Sequence, residues 1–318
     1  MAQELEQKLV QALDDLNGYH PGFRPAHAKG VMLTGVFHPT QAGGRLTKAP
    51  HLHRESTPVT VRFSDSAGFP TVGDNDQEHA SPRGFAVRFH LGEHEHTDII
   101  SHSVDGFPVR TAEEFLELLQ AIGKTAAGDS AKPSPIEVFL GSHPAALRFV
   151  QAPKSIPASF AQESYFSVNA LEFVNSQGDV RYGRYRILPD AGNKYLTAEE
   201  AKAKGPNFLM EEIAARVSAG PVKMSVCVQI AADGDVVDDA TVKWPDNRRE
   251  VPMGTLELRA MVPEDNEDAQ RIIFDPIPRV EGIGVSGDPL LEPRAAVYLM
   301  TGRRRRSAGT KAQTAKGD

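Results

Sequence analysis

Val31-Met32-Leu33-Thr34-Gly35-Val36-Phe37, Val59-Thr60-Val61-Arg62-Phe63, Gly84-Phe85-Ala86-Val87-Arg88-Phe89-His90 and Asp98-Ile99-Ile100-Ser101 are four short β-branched or aromatic runs. Clusters of Gly, Pro, Asp and Asn divide them, the punctuation of strands and turns. Upstream, Leu5, Leu9, Leu13 and Leu16 recur at helical spacing and predict an amphipathic helix over residues 3–17 that ends at Gly18. Downstream, helices are predicted over 112–122, 134–140 and 144–151, and strands over 165–174 and 180–187 with Asn175-Ser176-Gln177-Gly178 as a hairpin turn. A helix over 198–217 precedes strands over 222–231 and 254–262, which flank an acidic loop. Strands in a largely antiparallel order, with helices collected between and after them, define an α+β fold. Their number and spacing suggest a barrel or sandwich. No linker separates two domains, so residues 1–306 read as one domain.

The composition narrows the function classes. In 318 residues, 40% hydrophobic and 24% charged content suits a globular protein with a sizeable core. A formal net charge of -7 argues against general nucleic-acid or anionic-membrane binding. Arg303-Arg304-Arg305-Arg306 is the exception, and residues 307–318 beyond it lack large apolar side chains and read as a disordered basic tail. The lone Cys227 excludes an intramolecular disulfide and sits in an apolar run as a small buried hydrophobe. The polar, acidic N-terminus is unlike a secretory signal, and no run reaches the ~18 apolar residues that span a bilayer. A cytoplasmic protein is the expectation.

Two segments carry chemistry. In Arg24-Pro25-Ala26-His27-Ala28-Lys29-Gly30 a histidine lies between cationic residues, and an imidazole so placed can shuttle a proton. In Pro293-Arg294-Ala295-Ala296-Val297-Tyr298 the arginine and tyrosine are four residues apart within a segment, 289–302, that reads as a helix ending at Gly302. An arginine against a phenol favours the phenolate, a good ligand for a hard ferric ion. Gly282-Ile283-Gly284-Val285-Ser286-Gly287 satisfies G-x-G-x-x-G, yet no βαβ unit surrounds it, so it is not read as a dinucleotide site. The pairs His51/His53 and His94/His96 have a spacing that strands use for metals, but their polar flanks favour solvated loops. Asp74 to His79 reads as a solvated loop as well.

These segments, with Val61-Arg62-Phe63-Ser64, Pro82-Arg83-Gly84-Phe85-Ala86-Val87-Arg88-Phe89 and Phe274-Asp275-Pro276 leading through Gly282-Ile283, resemble the haem catalase superfamily over about residues 20–306. The resemblance is strongest to its short, catalase-related peroxidase branch. It implies an antiparallel β-barrel with surrounding helices, and haem buried between the barrel and a late ligand-bearing helix. It implies His27 as the distal catalytic histidine, Ser64 holding its tautomer, and Tyr298 as the iron ligand with Arg294 against it. Arg24, Arg62 and Arg305 would pair with the haem propionates, and Phe107 and Phe115 would line the distal side. Where the family carries a distal asparagine this chain has His102, and the residue before the distal histidine is the small Ala26. The implied activity is a peroxidase that favours organic hydroperoxides, uses an external electron donor and dismutates hydrogen peroxide weakly. A true small catalase, a fatty-acid hydroperoxide rearrangement of the allene oxide synthase kind and a non-enzymatic haem-binding protein are the alternatives. A homo-oligomer, a dimer in the first instance, is expected.

Overall fold

A computed structural model describes residues 2–314. Its strands are β1 Gly30–Pro39, β2 Thr57–Ser64, β3 Gly84–His90, β4 His96–His102, β5 Tyr165–Phe166, β6 Leu171–Val174, β7 Val180–Pro189, β8 Val222–Ile230, β9 Glu250–Met261 and β10 Ile283–Val285. The helices are α1 Ala2–Asn17, α2 Gln41–Leu46, α3 Ala112–Ala126, α4 Pro135–Ser142, α5 Pro144–Gln151, α6 Ala198–Lys202, α7 Phe208–Ala219, α8 Glu267–Gln270 and α9 Leu291–Thr314. Hydrogen bonding runs β7-β5-β4-β3-β2-β1-β9-β8, and β8 pairs with β7 to close an antiparallel barrel. Strands β6 and β10 extend β7 outside the closed ring.

Successive side chains of a strand face opposite ways, so one set fills the barrel and the other forms its outer wall. The inward set includes Val61, Phe63, Phe85, Val87, Phe89, Ile187 and Leu256, all essentially inaccessible. The Phe63 ring lies 5.3 Å from both Phe85, edge-on, and Phe160, stacked, and Tyr165 donates its hydroxyl to the Phe160 carbonyl at 2.8 Å. Such pairs add about 0.5–1.5 kcal/mol each beyond burial. A barrel filled in this way directs the outward-facing positions of its strands to any ligand. There the register sets Ser64, Gly84 and His102 side by side across β2, β3 and β4, with Arg62, Ala86 and Ile100 in the next same-facing row.

Several sequence expectations are corrected. Residues 165–174 are not one strand: the chain leaves the ladder between β5 and β6, and Asn169 turns away from the sheet. The helix over 198–217 is interrupted at Gly205-Pro206, where proline cannot continue it, and α7 restarts with the Leu209 and Met210 amides donating to Asp74 Oδ2 at 2.7 and 3.4 Å. Asp74 is therefore buried rather than solvated, and it also takes the Lys29 ammonium at 2.5 Å. The final helix neither stops at Gly302 nor gives way at Ser307, but runs to Thr314, residues 315–318 of the tail lying outside the described residues. Gly302 is a packing residue and not a terminator, because a Cβ there would overlap the Ile273 side chain. Cys227 is half-buried on β8.

Among the described residues no group of three or more His, Cys, Asp or Glu is placed to hold a metal ion. His53 bonds the Thr47 carbonyl at 2.9 Å, whereas His51 is buried with its ring 4.7 Å from Phe89 and its Nδ1 unpartnered. Burial pushes the His51 pKa down to about 3. The unfolded chain then binds the extra proton below pH 6.5, so stability is lost as pH falls from 6.5 toward 3. His51→Phe is expected to gain about 2 kcal/mol over the parent at pH 5 and almost nothing from titration at pH 8, read from denaturant unfolding at the two pH values.

Candidate active site

One cavity lies against the outer wall, between β2 to β4, the loop 24–29, α1, α3 and α9, and it brings together every site residue read from the sequence. His27 sits on the loop with φ +56°, a left-handed conformation rare for a residue with a Cβ. That turn sends its parts in different directions. The backbone amide donates to the Ser66 carbonyl at 2.9 Å, and the carbonyl accepts from Arg62 Nη2 at 2.8 Å. The ring reaches the wall, with Nδ1 3.1 Å from Ser64 Oγ. With Nδ1 so engaged, Nε2 is the ring nitrogen left free. Burial first, and then the Arg62 charge, lower its pKa to about 4, so the imidazole is neutral at pH 7. A Cβ on Gly84 would stand 2.5 Å from Ser64 Oγ and 2.7 Å from His27 Nδ1, so the absence of a side chain there is what lets the two meet.

His102 ends β4 on the other side of Gly84. Two strand spacings, about 10 Å, separate it in the wall from Ser64. Its Nδ1 accepts the Val104 N–H at 3.2 Å, which places the proton of the neutral ring on Nε2, and that atom is buried without a partner. Burial, His27 and Arg294 hold the His102 pKa near 3. Phe107 stands beside it, 5.7 Å from Phe115 on α3, and Leu9, Leu13 and Ala112 complete an apolar roof. A capping box, Thr111 with Glu114, fixes the start of α3 and so the position of Phe115.

The opposite wall is α9. Arg294, Tyr298, Thr301 and Arg305 are spaced to share one face, and all line the cavity. Arg294 Nη2 donates to Tyr298 Oη at 3.4 Å, and its guanidinium carbon is 5.7 Å from the tyrosine ring centre. Its other arm bonds Asn169 Oδ1, and Asn169 Nδ2 donates to Asp288 Oδ2 at 2.8 Å. Asn169 and Asp288, 3% and 5% exposed, are site residues that the sequence reading missed. The break between β5 and β6, which lets Asn169 turn toward α9, was the one signal for them, and an apolar run with a hairpin after it hides that break.

At one end of the cavity three arginines converge. Arg62 and Arg305 are buried, Arg24 is half-buried, and none has a carboxylate partner among the described residues. Their contacts are carbonyls: His27 and Ala28 for Arg62, and Ile272 for both Arg24 and Arg305. Burial, and after it neighbouring guanidinium groups, lower all three pKa values. Unpaired charge out of water is costly enough that such a cluster marks an anion site.

A filled antiparallel barrel with a tyrosine-bearing helix against its outer wall is the catalase fold. A fungal catalase solved at 1.9 Å superposes with a TM-score of 0.78 at 22% identity over 93% of the chain, and catalase A from Saccharomyces cerevisiae with 0.79 at 22% over 93%. The chain spans 62% and 64% of the length of those two structures. The catalase family's sequence profile matches residues 7–314, and the chain belongs to that family. The catalase-related peroxidase of Mycolicibacterium paratuberculosis is 33% identical over 294 residues, 91% of each chain. That of Synechococcus elongatus is 30% identical over 297 residues, covering 92% of this chain and 86% of its own.

Haem is the cofactor the family implies, and the residues fit it. Gly84 and Ala86 leave a shallow wall, Leu9, Leu13 and Val297 would supply apolar contact, and three arginines with no carboxylate partner among the described residues would suit its two carboxylates. The close approach at Gly84 can be tested directly. Gly84→Ala should leave the barrel folded but drive the His27 ring away from Ser64, moving the His27 imidazole resonances and pKa in NMR titration of the haem-free protein.

Proposed function

We propose that this protein is a haem peroxidase, with Tyr298 as the proximal iron ligand and His27 as the distal base. A single observation carries the reading: a neutral histidine with its Nδ1 tied to Ser64, and a tyrosine held by Arg294, line one cavity whose end is three unpaired arginines. Haem, when bound, would supply a Lewis-acidic iron and a store for two oxidising equivalents. Arg24, Arg62 and Arg305 would hold its carboxylates, and Arg294 would favour the anionic form of Tyr298.

The chain's own part in the chemistry is proton handling. His27 Nε2 takes the proton from one peroxide oxygen and returns it to the other, so that water or an alcohol leaves. Ser64 keeps the ring in the tautomer that leaves Nε2 unprotonated. Two one-electron donor molecules then complete the balance, ROOH + 2 AH giving ROH, H2O and two donor radicals. The apolar roof of Leu9, Leu13, Ala112 and Phe115 suits an organic hydroperoxide. His102 stands where the family carries asparagine, and we propose that it supports a second hydrogen peroxide poorly, so dismutation is weak. A dimer in the cytoplasm is the proposed form; no helix among the described residues is long and apolar enough to cross a membrane.

His27→Ala is expected to lower peroxide-driven dye oxidation by about 100-fold or more while the haem absorption bands persist. An alanine variant with unchanged turnover favours a haem-binding protein without enzymatic use of this site. His102→Asn is expected to raise oxygen evolution from hydrogen peroxide relative to dye oxidation by about tenfold, measured with both assays on one preparation. Oxygen evolution by the parent at a rate typical of catalases overturns the peroxidase reading.

A further inference from the structure

Residues 271–274, between α8 and the approach to α9, form no strand or helix, yet their carbonyls organise much of the anion end of the cavity. The Arg271 carbonyl accepts from Arg306 Nε at 2.8 Å. The Ile272 carbonyl accepts from Arg24 Nη2 at 3.2 Å and from Arg305 Nη2 at 2.7 Å. The Ile273 carbonyl accepts from Arg88 Nη2 at 2.5 Å, and the Ile273 side chain fills the gap left by the missing Cβ of Gly302. One short segment therefore sets both the aim of two arginines and the distance of α9 from the wall.

Asp98 holds that segment. It is 5% exposed, and its carboxylate takes Arg88 through both oxygens, Nε to Oδ1 at 2.9 Å and Nη2 to Oδ2 at 2.7 Å. The same Oδ2 accepts the Asp275 N–H at 2.8 Å, and the Arg88 guanidinium lies 5.7 Å from the Phe274 ring centre. Arg88 and Asp98 are direct partners across β3 and β4, two same-facing rows from Gly84 and His102, and neither lines the cavity. Fork-to-fork pairing fixes orientation as well as charge, which is what a positioning contact needs.

We propose that Asp98 is a positioning residue for carboxylate recognition: through Arg88 and the 271–275 backbone it aims Arg24 and Arg305, and so makes the cavity selective for a macrocycle with free carboxylates. The inference rests on the haem reading above. The test compares release of haem and of haem dimethyl ester, whose carboxylates are blocked, to an excess of a haem-scavenging protein. The parent is expected to release the ester about 100-fold faster than haem. Asp98→Asn should shrink that ratio to about tenfold or less by speeding haem release, with ester release changed little; Asp98→Glu should recover part of it. Because Asp98→Asn leaves Arg88 buried without its counter-charge, the double variant Arg88→Met with Asp98→Leu is measured alongside and is expected to show the same narrowing. Retention of the parental ratio in both variants, or faster release of haem and ester by one common factor, overturns the positioning role. A parent protein that releases both forms equally overturns the arginine clamp itself and the inference with it.

Discussion

Three guanidinium groups gathered in a cavity wall with no carboxylate in direct contact among the described residues are the constraint on which the rest of this molecule depends. An uncompensated buried cation costs several kcal/mol, and water cannot fully relieve Arg62 or Arg305. The fold meets the demand with main-chain carbonyls: His27 and Ala28 from the loop before β1, and Ile272 from the segment before α9. Dipoles offset part of the charge and leave the remainder for a ligand, so the site is built to be completed. The same contacts tie the loop to the barrel wall through Arg62, and the loop and α9 to one carbonyl through Arg24 and Arg305.

Closing the sheet on its own aromatic side chains determines where the chemistry can be. Phe63, Phe85, Phe89 and Tyr165 leave no room inside the barrel, so function is displaced to the outward-facing positions of the same strands. Along β2 the alternation puts Val61 and Phe63 in the core and Arg62 and Ser64 in the cavity wall. Core and site are thus written into one run of residues. A slip of one position in register would bury the arginine among phenylalanines and carry every site residue of that strand off the wall.

Much of the architecture was legible because strands and helices leave local marks: β-branched runs between Gly and Pro clusters for β1 to β4, and leucines at helical spacing for α1. His27, Arg294 and Tyr298 were legible because they lie in recognisable motifs. What stayed hidden is of another kind. Asn169 contacts a residue 125 positions away, and Ile272 acts through a carbonyl that any amino acid would provide. Gly302 carries the same letter as a helix terminator, and only the Ile273 side chain packed against it separates the two meanings. Asp74 looks like part of an acidic surface turn until α7 is docked on it. Each of these depends on which distant segment arrives as a neighbour, which local propensity does not encode.

The left-handed backbone at His27 bears on how this protein can evolve. Residues with a Cβ adopt that conformation at a cost of about 1–2 kcal/mol, and asparagine, aspartate, histidine and glycine are the ones that tolerate it best. Its ring reaches Ser64 in the cavity wall and its carbonyl steadies Arg62. Drift at position 27 is therefore narrowed twice, once by the imidazole and once by the torsion angle. Glycine would relax the chain but forfeit the base, and a β-branched residue would forfeit both. Lineages that lose the chemistry should retain small or amide residues here for the sake of the backbone, leaving a trace of the ancestral pocket in its geometry after its reactivity has gone.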